Sequence, residues 1–233
     1  MRELEKRGAR VIALTRQDVD LSTQSSVRAA ARRLLKSERR IDALLNVAAI
    51  FTTRYQKTKD GFELMLATNH LGPFLLTNLL RERLVDGGRV VTVTAPSNTK
   101  VDVARMLDRA RFNPTYTFGA TKAANLMSTF ELARRAHRWD VRANAFHPGL
   151  IRSDLMKEAP GAVRSLARMF SRDPSHAAQY LADLALSPAH AGTTGWLFKG
   201  GRHIEAPKAA QDIGQQSLLW KRTAELVELE GGF

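Results

Sequence analysis

The stretch GRVVTVTA, residues 88–95, is a short apolar run. Its apolar side chains do not keep strict alternation with polar ones, which suits a strand of a parallel sheet covered on both faces. Four further runs read the same way: ARVIALTR (9–16), IDALLNVA (41–48), VRANAFHP (141–148) and TGWLFK (194–199). Helix-like segments lie between them and after them, at 23–36, 62–84, 114–138, 174–186 and 209–229. Strands alternating with helices predict βαβ units. The expected fold is therefore α/β, a doubly wound, Rossmann-like, mostly parallel sheet. The chain carries no repeat, low-complexity stretch or linker, so residues 1–233 are expected to form a single domain.

Composition narrows the chemistry. With no Cys among 233 residues, disulfides, thiolate catalysis and Cys-ligated metals are excluded. No His, Asp and Glu cluster has metal-ligand spacing, so no metal is expected. The first ten residues, MRELEKRGAR, are charged throughout and unlike a signal peptide. Apolar runs stay short of the ~18 residues of a membrane span. The expectation is a cytoplasmic, soluble protein with no membrane partner. A net charge of +13 invites a nucleic-acid reading. The Arg residues are spread over helix faces, however, with no basic tail and no aromatic-interleaved strand. No nucleic-acid partner is expected; the charge suits attraction of an anionic small molecule or carrier protein.

Several motifs then occur in the order of a known family. Residues 7–16 (RGARVIALTR) are similar to the second strand of a short-chain dehydrogenase/reductase and the helix end before it. Asp20-Leu21-Ser22 resembles the family's adenine-contacting Asp motif, and Leu45-Asn46-Val47-Ala48-Ala49 its Asn-Asn-Ala-Gly strand end. Thr68-Asn69-His70-Leu71-Gly72 resembles the segment carrying the catalytic Asn, and residues 91–95 the strand ending in the catalytic Ser. FGATK (118–122) resembles the Tyr-x-x-x-Lys motif, and His147-Pro148-Gly149 the Pro-Gly turn after the sixth strand. The tail from Asp173-Pro174 to Trp220 resembles the retinol-dehydrogenase branch. The resemblance covers essentially the whole chain.

The departures from the family pattern are as telling. The chain starts inside the helix that follows the family's Gly-rich turn, so the first strand and the phosphate-loop glycines are expected to be absent. In this fold that strand lies between 9–16 and 41–48. Its loss requires those two runs to close up, another segment to fill the gap, or a longer native chain. Phe118 stands in the place of the family's proton-handling Tyr, and Ala95 in that of its substrate-bonding Ser. Val47 and Ala49 replace the second Asn and the Gly beside the cofactor ribose. A positioned general acid is worth roughly 10²–10⁴ in rate, and an oxyanion-type donor ~10²–10³.

Asn69 and Lys122 keep the family's positions and are the expected catalytic groups. Ser97, Tyr116 and His147 are secondary candidates. Ser97 lies two residues beyond Ala95, with Pro96 between them; Tyr116 precedes Phe118 by two, about 200° away on a helix. Arg16, Asp20, Asn46 and Ser153 are read as relics of cofactor binding; Ser153, before Asp154, suits a helix N-cap equally well. On this reading no cofactor is bound. The cleft then performs a non-redox transformation of a small organic molecule: cyclisation, isomerisation or dehydration. Two alternatives stand beside it. One is a non-catalytic partner of an active homologue; the other is an NADP-dependent reductase with a lost N-terminus and substitute catalytic groups. The apolar surplus of helix 114–138, which the family pairs across a two-fold axis, predicts a homodimer or homotetramer.

Overall fold

The structure is a computed structural model and describes residues 1–149 and 174–233. Its sheet has five strands in the order β1 (Ala43–Asn46), β2 (Arg89–Val93), β3 (Arg142–His147), β4 (Leu197–Lys199) and β5 (Arg202–Ile204). The first four are parallel, and β5 returns antiparallel to β4. This is the α/β, Rossmann-like, mostly parallel architecture the alternating runs predict. The hairpin strand β5 was not anticipated, because RHI lacks the apolar character of the buried strands.

Successive strand residues point to opposite faces, and both faces are covered. Leu44, Val90, Ala143, Ala145 and Leu197 face the side covered by α4 (Gly72–Leu79) and α7 (Pro114–Ala136). Leu45, Val91, Val93, Phe146 and Phe198 pack on the other side against Ala177, Tyr180, Leu181 and Leu184 of α8 (Pro174–Leu186). Beside this frame lie α1 (Arg2–Lys6), α2 (Gln24–Ser37) and the short α6 (Val103–Leu107).

Three expected elements come out differently. Residues 9–16 pair with no strand among the described residues. They neither close onto β1 nor meet a filling segment there, and β1 keeps one edge free of any described strand. The run is held by side chains at its flanks: Arg7 on Asp183, Arg10 on Glu38, and Arg33 on the Asp18 carbonyl. The helix expected over 62–84 breaks into α3 (Leu64–Leu66), a π-helical turn (Ala67–Leu71), α4 and α5 (Arg81–Leu84). The tail helix divides at Asp212, whose carboxylate accepts the Gln215 N–H and so caps a new helix. It becomes α9 (Lys208–Gln211) and α10 (Ile213–Leu226).

Helix α7 starts as its sequence suggests, with Pro114 in the first turn and the Asn113 side chain accepting the Tyr116 N–H at 2.9 Å. Part of the apolar surface from which pairing of two copies was argued, Ala124, Leu126, Met127 and Phe130, clusters with Ala210 of α9 and Leu219 of α10. Glu131 of α7 is buried and accepts from Arg134, Arg135 and Ser217, the last of these on α10.

Candidate active site

The carboxyl ends of parallel strands are where this class of sheet binds ligands. There Asn46 ends β1, His147 ends β3, and the chain leaving β2 runs through Thr94, Ala95 and Ser97. Over them lies one face of α7. Phe118, Thr121, Lys122 and Asn125 follow the i, i+3, i+4, i+7 spacing that puts four side chains side by side.

Lys122 is 6% exposed. Its Nζ makes no hydrogen bond or ion pair among the described residues and sits 5.4 Å from the Phe118 ring centroid. Burial lowers its pKa to about 8, because desolvation disfavours the ammonium. Phe118 meets Phe51 edge to face at 5.6 Å, so the ammonium lies beside an apolar wall. Thr94 fixes this part of the helix: its Oγ1 donates to the Lys122 carbonyl at 2.6 Å.

Asn69 is fully buried in the π turn. Its Oδ1 accepts the Ile50 N–H at 2.8 Å, and its Nδ2 donates to the Ile50 carbonyl at 2.9 Å and to Thr121 Oγ1 at 3.3 Å. The side chain thus ties the loop after β1 to α7. The extra residue of a π turn is a common device at functional sites.

The secondary candidates separate. Ser97 is brought to α7: a Cβ on Gly119 would lie 3.4 Å from Ser97 Oγ and 2.5 Å from Thr99 Oγ1. Its Oγ also accepts the Thr99 N–H at 3.2 Å. Tyr116 is turned elsewhere. Its hydroxyl donates to the Lys100 carbonyl at 3.0 Å and the Arg105 guanidinium lies 3.8 Å from its ring centroid. Burial raises the Tyr116 pKa, so it stays a neutral phenol outside the cleft. His147 is half-buried, with Nδ1 enclosed and unpartnered among the described residues. Burial, then the neighbouring Lys199, lowers its pKa and favours the neutral imidazole.

On the β1 side, Asn46 Nδ2 donates to Thr77 Oγ1 at 3.0 Å. The Asp20 carboxylate accepts from the Ser22 hydroxyl and N–H, and the hydroxyl bond chiefly lowers its pKa. Arg16 is exposed and adds a smaller attraction to Asp20. The Leu21 carbonyl rests against Gly72, where an added Cβ would lie 2.2 Å away. Ser153 and Asp154 lie outside the described residues. Among the described residues no group of His, Asp and Glu could hold a metal ion. No helix among them is long and apolar enough to cross a membrane.

Sequence reading missed Thr94, Thr121 and Asn125. Thr121 and Asn125 were available from helical spacing, three and seven residues after Phe118. Thr94 was not, because the strand alignment draws attention to Ala95, whose period-two neighbours Val91 and Val93 face α8.

Residues 1–189 match the family model described as enoyl-(acyl carrier protein) reductase. Retinol dehydrogenase 14 of Homo sapiens is 34% identical over 223 residues, which is 91% of this chain and 66% of that one. The chain therefore spans about two thirds of the length of that relative. An uncharacterised protein from Mycobacterium paratuberculosis superposes with a TM-score of 0.67 at 30% identity, over 92% of this chain and 76% of that one. A blue fluorescent protein from a metagenomic library, solved in complex with NADPH, gives a TM-score of 0.61 at 26% identity, over 86% and 79%. These findings overturn two expectations. Relatives of this kind are oxidoreductases, against a non-redox transformation. The NADPH complex speaks against a cleft without cofactor. Both expectations had rested on Phe118, Ala95 and an expected absence of the phosphate-loop glycines, which weigh individual groups and not the cleft as a whole.

Proposed function

The chain belongs to the short-chain dehydrogenase/reductase family, in its retinol-dehydrogenase-like branch, and on that premise we propose that it is an NADP-dependent oxidoreductase interconverting a carbonyl and an alcohol on an apolar substrate. The observation that carries this reading is Lys122: a buried ammonium beside the cleft with no acceptor among the described residues. Such a group is costly to bury alone, and a ligand oxygen would relieve it.

The residues present fit the nucleotide at its ribose and adenine ends. Lys122 and Asn46 would hold the nicotinamide ribose, Asp20 the adenine side, and exposed Arg16 a 2′-phosphate. When bound, the nicotinamide supplies or takes the hydride. The chain's own residues must then move a proton at the substrate oxygen. Phe118 has none to give. Lys122, with its pKa lowered to about 8, carries one at neutrality and can release it. Ser97, against α7 at Gly119 next to Phe118, is a candidate replacement for the hydroxyl that Ala95 lacks. Phe51 and Phe118 form an apolar wall, which favours a hydrophobic substrate.

The test is calorimetric titration with NADPH at moderate salt, because +13 attracts phosphate nonspecifically and salt screens that attraction. NADPH consumption with apolar aldehydes and ketones follows. Salt-resistant micromolar binding, with turnover lost in Lys122→Ala, is expected. Absence of saturable binding would overturn the reading.

A further inference from the structure

Behind Asn69 a chain of buried hydrogen bonds runs to α10. Asn125 Nδ2 donates to the Asn69 carbonyl at 2.8 Å. Asn125 Oδ1 lies 2.9 Å from His70 Nδ1, and His70 Nε2 lies 3.0 Å from Thr223 Oγ1 on α10. All four side chains are buried, with His70 at 2% and Thr223 at 1% exposure.

The direction of this chain can be worked out bond by bond. The Asn69 carbonyl can only accept, so the Asn125 amide nitrogen faces it. That leaves the Asn125 oxygen facing His70 Nδ1, which must carry the proton. Nε2 is then a lone pair and accepts the Thr223 hydroxyl. The four groups are satisfied in one orientation: Thr223 O–H to Nε2, Nδ1–H to Asn125 Oδ1, Asn125 N–H to the Asn69 carbonyl. A doubly protonated ring would keep the bond to the Asn125 oxygen, but would turn the Thr223 hydroxyl from donor to acceptor and bury a charge. Burial accordingly lowers the His70 pKa to about 4.

We infer that His70 is a positioning residue: held in its Nδ1–H tautomer by Thr223, it orients Asn125 on the Asn69 carbonyl, so that α10 fixes the π turn that presents Asn69. The π turn needs such a brace, since a widened helical turn gives up the regular backbone bonding that would otherwise hold it. Helix α10 is itself anchored, by Trp220 on Phe74 with ring centroids 4.6 Å apart and by Ser217 on Glu131. Helix α10 is thus connected to the site by directed bonds through a group that no step of the proposed reaction uses.

The functional consequence rests on the oxidoreductase reading; the tautomer and the coupling do not. Long-range ¹H–¹⁵N spectra of the imidazole groups of the full chain should show His70 with protonated Nδ1 and bare Nε2, unchanged from pH 5 to 8. In Thr223→Val the His70 Nε2 signal and the Asn69 side-chain amide pair should both move, with the melting profile cooperative, and Thr223→Ser should restore both. With NADPH and a turned-over carbonyl, Thr223→Val should lower kcat about tenfold or more at little change in KM, since small misplacements of catalytic geometry carry such penalties. An Nε2–H tautomer would overturn the inference. So would an Asn69 amide pair that stays still in Thr223→Val while His70 moves. If no carbonyl is turned over, the oxidoreductase reading fails and the spectra still decide the relay.

Discussion

The Lys122 ammonium lies 5.4 Å from the Phe118 ring centroid, and that ring is its closest compensating contact among the described residues. A cation–π contact is worth about 0.5–2 kcal/mol, less than an ammonium loses on leaving water. The pair is unbalanced on its own, as expected of a group kept to meet a ligand and not to stabilise the fold.

That imbalance predicts a pH-dependent stability. A fall in the Lys122 pKa from 10.5 to about 8 corresponds to a folding cost of up to about 3 kcal/mol at neutral pH. Between pH 8 and the unfolded-state value the unfolded chain binds the extra proton, so stability rises with pH across that window. Lys122→Met removes the cost at neutrality. In paired thermal melts the variant should melt above wild type at pH 7, and the gap should close as pH rises from 8 towards 10. A constant gap would mean that Lys122 is not desolvated.

Phe118→Tyr adds a hydroxyl to the apolar wall, one helical turn before Lys122. The ring keeps its shape and its edge-to-face contact with Phe51. If proton delivery limits carbonyl reduction, kcat should rise by about 10²-fold, the lower end for a positioned general acid. Following NADPH absorbance with wild type and variant checks this. An unchanged rate would place the limit elsewhere, most simply in the missing hydroxyl at Ala95.

Much of this arrangement was legible in the chain. The apolar runs 41–48, 88–95 and 141–148 contain β1, β2 and β3 and overshoot their ends at Asn46, Val93 and His147 by one or two residues, because parallel strands covered on both faces are largely apolar. Lys122 and Asn69 were candidates through the family resemblance of residues 118–122 and 68–72. The fate of residues 9–16 was not legible, because ARVIALTR has a strand's composition and only a neighbouring strand can make it one. The π turn was equally hidden: its cause is Asn69 reaching Ile50, nineteen residues away. The packing of α10 on α7 was missed for a similar reason, since apolar residues on a helix look alike whatever buries them.

Gly72 predicts a coupling between the nucleotide side and the core. A methyl group there would meet the Leu21 carbonyl oxygen at 2.2 Å, and both atoms belong to buried or half-buried backbone. Gly72→Ala must therefore push the Asp20-Leu21 turn away from α4. Overpacking of this kind costs about 1–3 kcal/mol. Urea unfolding should show that loss, and NADPH affinity should fall with it because Asp20 moves. Loss of stability with unchanged affinity would remove Asp20 from the adenine side.

Asn69 allows a sharper test, because its amide is used as both donor and acceptor on one peptide group. Asn69→Ala leaves the Ile50 N–H and carbonyl unpaired in the interior, at about 1–3 kcal/mol for each group. Asn69→Asp keeps the acceptor for the Ile50 N–H but sets a carboxylate oxygen against the Ile50 carbonyl, where Nδ2 had donated at 2.9 Å. A proton on that oxygen would restore the donor, so the folded state should raise the pKa of Asp at this position above its unfolded value. The sign follows: the stability is present below the unfolded pKa and is lost as pH rises through the folded one. Urea midpoints at pH 4.5 and 7.5 should therefore place Asn69→Asp nearer wild type at the lower pH and nearer Asn69→Ala at the higher. Wild type and Asn69→Ala, measured in parallel, account for every other titrating group. If Asn69→Asp tracks wild type at both values, the Nδ2 bond to Ile50 does not hold the loop after β1, and the site must be braced through Thr121 alone.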